Sequence, residues 1–442
     1  MEGQTSPLLQ TATQNNIPGY SNIGNTALTG VAPSFPFSFY SIPKNVIWPY
    51  MQQWHLDIQH ELPGHTVITV GYVASKGTHL GLQRNLNQMY PVPASQNPYR
   101  PGQPITAADC GGITLAPDGT AIATPAVGTT YTAAQTGGWA NNLAVACGNT
   151  ADPYRPFLGL QNITRLEDQA NSNYNALQVS GRKSVGSLNL TAAYTYSHSI
   201  DNASDRYDGT FVNSYDPSLA RASSNFDQRH MLNVGWVYDI PLFKKAGLTH
   251  SLLGGWQWSG IESFSTGLPV TVNNGTTYAD NAGVGAGSVT AATSYPDRIG
   301  NPNSGIPPAS LVSSPSQAKY DFNPSAFALP QGLTFGNAGR NDVRNPSRLN
   351  FDMGIFKHFA IKESTAIEFR AEAFNIFNHT QFSLSDVTAG SSGGFTNSMT
   401  CAGGSNNSAG DPSCIGPGGS TFGQIAYAHL ARVVQFSLKV IF

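Results

Sequence analysis

Four aspartates, Asp201, Asp205, Asp208 and Asp216, fall in one short segment and offer the hard oxygen ligands that calcium takes. Their spacing does not follow an EF-hand loop, and a solvated acidic loop is the simpler reading. The four cysteines form two sequence-local pairs, Cys110 with Cys147 and Cys401 with Cys414. They lack the close Cys-x-x-Cys spacing of a zinc site. Two local disulfides made in an oxidising compartment, or four unpaired thiols, both fit. The run Gly283-Val284-Gly285-Ala286-Gly287 has no strand before it and no helix after it, so it reads as a flexible loop and not as a phosphate cradle. None of the 10 histidines sits in an HExxH motif, and no Gly-x-Ser-x-Gly elbow occurs. These residues make no catalytic constellation and call for no cofactor, so the sequence does not read as an enzyme.

A more regular set of charges is Asp57, Glu61, Arg229, Asp239, Asp352, Glu368, Arg370, Glu372 and Lys439, because each falls at an alternate position in an otherwise apolar–polar pattern. In residues 365–377, Ile367, Phe369, Ala371 and Ala373 mark one face, and Glu368, Arg370 and Glu372 the other. A period of two is the period of a β-strand. Residues 187–199 alternate strictly, with Leu188, Leu190, Ala192, Tyr194 and Tyr196 on one face. Residues 228–240 do the same with Leu232, Val234, Trp236, Tyr238 and Ile240. Weaker versions occupy 51–61, 66–76, 173–183, 254–267, 349–359 and 430–442, which makes nine predicted strands. The mixed signs on the polar face suggest mutual pairing across neighbouring strands; a surface facing a plug domain or a passing solute is the functional alternative.

The links between these strands alternate in length. Residues 62–65, 184–186, 241–253 and 360–364 are short; 77–172, 200–227, 268–348 and 378–429 are long. A transmembrane β-barrel places short turns at its periplasmic end and long loops outside, whereas a soluble sandwich has no reason to. Composition agrees. Only 11% of the residues are Asp, Glu, Lys or Arg, against about 25% in soluble domains, and 46 Gly and 29 Pro favour turns and loops over helices. Mean hydropathy is −0.21, and no apolar run is long enough for a spanning helix, but barrel strands need only about 9–11 residues. A net charge of −2 provides no field for nucleic acid. The expected fold is therefore all-β: an antiparallel transmembrane β-barrel segment of about nine strands, at home in the outer membrane and in contact with its lipid.

Aromatic placement supports that orientation, since Trp and Tyr prefer membrane interfaces. Trp236, Tyr238, Trp256 and Trp258 gather at the expected periplasmic rim, and Tyr194, Tyr196, Phe374 and Phe377 at the outer rim. At the C-terminus, Val434, Phe436, Leu438, Val440 and Phe442 are apolar at every second position. That is a lipid-facing strand ending in an interfacial aromatic, and it is similar to the signal that barrels present to the barrel assembly machinery.

Three long segments carry a family resemblance. They are Glu61-Leu62-Pro63-Gly64 followed by Val70-Gly71-Tyr72-Val73-Ala74-Ser75-Lys76-Gly77-Thr78-His79-Leu80; Asn225-Phe226-Asp227-Gln228-Arg229-His230; and Phe369-Arg370-Ala371-Glu372-Ala373-Phe374-Asn375-Ile376-Phe377-Asn378-His379. Together with the terminal Phe442 they resemble the Oar-like TonB-dependent receptors, over about residues 45–442. The resemblance implies a signal peptide, a carboxypeptidase-regulatory-like domain and a plug preceding a barrel of about 22 strands, with the TonB system as partner. This sequence shows no export signal, plug or energy-coupling box near Met1. The expectation is accordingly that residues 1–50 are the end of an outer loop or of a preceding strand, and that 51–442 are the C-terminal part of the barrel. Transport of a large solute is the function implied. A surface interaction or adhesion protein, or a non-functional truncated remnant, are the alternatives.

Overall fold

Alternation along one strand separates apolar from polar surface only if the pairing register carries the same face across its neighbours. In the computed structural model it does so across the sheet. The structure describes residues 37–88, 160–205, 213–272, 295–383 and 420–442 with a few gaps, together with short pieces such as 8–10 and 92–93. Nine long strands form one sheet: β1 (Tyr50–Leu62), β2 (Thr66–Asn85), β3 (Leu160–Val185), β4 (Leu188–Asp201), β5 (His230–Asp239), β6 (Trp256–Ser265), β7 (Arg348–Lys362), β8 (Thr365–Phe374) and β9 (Val433–Ile441). Each pairs antiparallel with the next in sequence. One ladder row reads Ile58, Val70, Val179, Tyr194, Leu232, Phe264, Leu349, apolar at every step. A row of the opposite face reads Arg182, Thr191, Gly235, Ile261, Asp352.

All nine predicted strands are present, and two are longer than the alternation indicated. β2 and β3 stay paired to Asn85 and Thr164, well inside residues 77–172 that read as a loop. The register shifts between Gly77 and Leu80 and again between Leu80 and Leu82, and His79 takes a left-handed φ of 57°. Each shift resets the phase of the period-two pattern, so the extension leaves no continuous trace in the sequence. Within the first fifty residues, Phe37–Ser41 lies parallel to the start of β3, and Leu8–Gln10 pairs with Phe37–Ser41. The short links sit together at one end of the sheet. The β1–β2 turn uses Gly64 at φ 84° and the β3–β4 turn Gly186 at φ 58°, conformations that glycine adopts without Cβ strain. Of the nine long strands, β1 and β9 each pair on one side only, and every residue of both is exposed.

At the other end the long loops fold on one another. Lys319–Tyr320 pairs with Gln424–Ile425, Pro269–Val270 with Val343–Arg344, and Gly332–Leu333 with Val92–Pro93. They enclose an apolar core of their own, in which Phe322, Phe327 and Phe422 meet edge to face with centroids 5.2–5.9 Å apart. All three rings are 1% exposed. Full burial of such a side chain contributes about 1.5–3 kcal/mol, enough for each ring to offset the backbone ordering of about one or two loop residues. This core was not expected, because its residues come from separate loops and share no periodicity.

Candidate functional site

The polar face of the sheet carries two adjoining hollows, of about 460 and 500 Å³, which share Thr191, Gly235 and Ile261. Glycines make the room. A Cβ at Gly235 would stand 3.2 Å from the Thr191 hydroxyl, and one at Gly354 would press on the Phe356 ring and the Glu372 stem. Asp352 and Glu372 line the first hollow and Arg182 the second.

The charges that alternation placed on this face are mostly held by local partners. Asp352 accepts from the Asn350 amide and the Asn375 backbone N–H, both at 2.8 Å. Gln435 donates to Glu372 at 2.6 Å, and Gln257 to Asp239 at 2.8 Å. Arg370 forms an ion pair with Glu368 two residues away on the same strand, and its guanidinium lies 5.4 Å from the Phe356 ring centroid. The expected pairing of charges across strands is therefore corrected. Register sets Arg370 opposite Phe356 and Ser437, so its nearest acid is on its own strand. Glu368 lies opposite Lys439 but pairs with Arg370. Gln257 and Gln435 reach their acids from the neighbouring strand, and a cross-strand ion pair does occur outside this set, between Arg84 of β2 and Glu167 of β3 at 2.7 Å. Asp57 and Glu61 lie on the exposed edge strand β1, with the Asp57 carboxylate over the bare Cα of Gly71.

The loop end is fastened by two buried acids. Asp201, the last residue of β4, pairs with Arg340 from the β6–β7 loop, and the two side chains are 2% and 0% exposed. Arg340 also donates to the carbonyls of Asp201 and Ala220 at 3.0 and 3.1 Å and to the Ser204 hydroxyl at 3.1 Å. Asp227 is fully buried and accepts from the Ser199 backbone N–H at 2.8 Å, from Arg229 at 2.9 Å and from Arg344. The His198 Nδ1 lies 3.1 Å away; a carboxylate only accepts, so that nitrogen carries the proton. Burial alone would push the Asp227 carboxyl up, but the Ser199 amide, Arg229, Arg344 and His198 together hold it well below the usual carboxylate range. Asp201 is thus no part of a solvated acidic loop. Among the described residues, no three of His, Cys, Asp and Glu are grouped to hold a metal.

The C-terminal residues Val434, Phe436, Leu438, Val440 and Phe442 are all exposed, Phe442 at 96%. Register joins Val434, Phe436, Leu438 and Val440 to Ala373, Ala371, Phe369 and Ile367, extending the apolar face to the edge. Cys110, Cys147, Cys401 and Cys414, with Asp208, lie outside the described residues. At the turn end, Trp236 and Trp258 pack edge to face at 5.2 Å; at the loop end, Phe351 and Phe377 do so at 5.1 Å. Sequence reasoning missed Arg340 and Arg344, which sit in an irregular loop with no pattern. It also missed Lys357, a lysine on the apolar face opposite Trp256 and Phe369; its interruption of the alternation was the available signal.

A large antiparallel sheet with one continuous apolar face, exposed rather than packed against a second layer, is the wall of a membrane barrel. The chain matches the outer membrane beta barrel domain family over residues 2–435 and belongs to it; it is an outer-membrane protein. The crystal structure of the outer membrane transporter YddB from Escherichia coli is similar at 9% identity and a TM-score of 0.38, over 92% of this chain and 34% of that one. The chain spans about a third of that transporter's length. No curated protein matches the sequence.

Proposed function

We propose that the chain is the C-terminal barrel portion, residues 51–442, of a TonB-dependent outer-membrane receptor that carries a large solute and performs no catalysis. The observation that carries the reading is the face opposite the apolar one, where Asp352, Glu372 and Arg182 line joined hollows together with Val237, Ile261 and Phe356, beneath a folded loop cap. A wall that carries fixed charges beside apolar side chains and is capped by ordered loops suits a gated passage for a large solute. In this reading Asp57, Glu61, Arg229, Asp239, Asp352, Glu368, Arg370, Glu372 and Lys439 face the lumen or the plug. The long loops lie outside the cell and the short turns in the periplasm. Assembly is directed by the C-terminal strand through the barrel assembly machinery, and the TonB system supplies the energy.

Labelling of single introduced cysteines on intact cells tests the topology. Ile299, exposed in the β6–β7 loop, is expected to react with a membrane-impermeant maleimide, and Gly64 to be protected; the reverse pattern overturns the orientation. Uptake is then compared in cells with and without a functional TonB system, using radiolabelled oligosaccharides, siderophores and peptides. The loop core also favours a second reading, a surface interaction protein. Binding of a partner to the loops, with solute uptake absent, would favour it.

A further inference from the structure

We infer that the link between β5 and β6 is a membrane-interface foot, seating its apolar side chains in the inner leaflet of the outer membrane with its lysine among the phospholipid phosphates. The inference rests on the orientation proposed above. Three of the four links at this end use only two or three residues, but this one runs through residues 240–255 and holds the short helix α1 (Leu248–Leu253). The extra length is apolar and uncovered. Leu248 is 81% exposed, Leu252 59%, Leu253 54%, Leu242 57% and Phe243 48%. Five large apolar side chains left open on one connection mark a contact surface and not a solvated turn.

The direction in which the foot points is set by two tethers. Lys357 donates to the Gly254 carbonyl, and the Trp256 indole donates to the Leu252 carbonyl at 3.4 Å. Both side chains stand on the apolar face of the sheet, in register with each other. The end of α1 is therefore drawn toward the lipid-facing side and away from the polar face. Lys357 is 3% exposed and lies 5.4 and 4.8 Å from the ring centroids of Trp256 and Phe359, so its charge is satisfied inside the aromatic belt and its stem packs against the rings. The His250 Nδ1 lies 2.7 Å from the Phe243 carbonyl and closes the link into one unit.

Charge selects the occupant. Residues 240–255 contain Lys244, Lys245 and His250 and no acidic residue, and Lys245 is exposed. Basic groups beside an apolar surface fit phosphate headgroups above acyl chains. The foot is also continuous with the Trp236–Trp258 pair, which already occupies the interfacial level.

The test is photocrosslinking in the protein's native outer membrane, with benzoylphenylalanine encoded at Leu252, at Leu248, or at Ile299 as a loop control. Heat-modifiable mobility confirms folding of each. The expected result is a phospholipid adduct several-fold more abundant at Leu252 and Leu248 than at Ile299, reduced by Lys245→Glu. Protein adducts only, or no adduct from either folded variant, overturn the foot while the topology stands. A lipopolysaccharide adduct at Leu252 puts this end of the sheet in the outer leaflet, overturning the proposed orientation and the inner-leaflet seat together.

Discussion

Arg340 and Asp201, 139 positions apart, form an ion pair from which both side chains are excluded from solvent. The pair joins the end of a sheet strand to the loop that supplies most of the aromatic core, so it couples the wall to its cap. Removing one partner strands a buried charge, which costs about 3–5 kcal/mol. Arg340→Met is expected to open the loop cap to limited proteolysis while the heat-modifiable mobility of the sheet is kept. Pairing it with Asp201→Asn is expected to recover part of the resistance, because no uncompensated charge then remains. Unchanged proteolysis of the single variant would mean that the aromatic core alone holds the cap.

The cap's acids give its stability an opposite pH dependence in two windows. Burial pushes the Asp321 carboxyl up from 3.8 to about 6, against the pull of Lys319. The folded cap therefore binds more protons than the unfolded loop between those values, and its stability rises as pH falls from about 6 toward 4. The depressed Asp227 acts the other way. Its contribution is complete above the ordinary carboxylate range and is lost as pH falls below that range. Protease resistance of the cap is expected to increase from pH 7 to 5 and to drop in stronger acid. Asp321→Asn is expected to reduce the first change and leave the second; burial also raises the Asp342 carboxyl, which acts in the same direction and keeps the remainder.

Gly260 lies opposite Trp236 on the neighbouring strand, and a Cβ there would overlap the indole ring. Gly260→Val is expected to displace Trp236 from its packing with Trp258 and to cost about 1–3 kcal/mol. The readouts are a tryptophan emission shift and a lower urea midpoint. An unaltered spectrum would place the indole elsewhere.

Phe442 contributes little packing, since a terminal aromatic that buries only part of its side chain in the interface is worth about 1–2 kcal/mol. If it acts as an assembly signal, its deletion is expected to reduce the folded form sharply in cells and scarcely to affect refolding in detergent micelles. Equal folding of both forms in cells would make it an ordinary lipid-facing residue; equal failure in both settings would show a larger packing role.

The nine strands, their faces and the alternation of short and long links were legible in the sequence, because a side chain's face depends only on the parity of its position within its own strand. Leu188 to Tyr196 and Ile367 to Ala373 carry that information locally. What the tertiary structure alone decided depends on residues far apart in the chain. The continuation of β2 and β3 past Gly77 follows from pairing that shifts register, and Arg370 bonds to Glu368 because its opposite neighbours are Phe356 and Ser437. Phe322, Phe327 and Phe422, like Arg340 and Asp201, meet across loops that have no repeat, so only the closed three-dimensional arrangement brings them together and shuts out water.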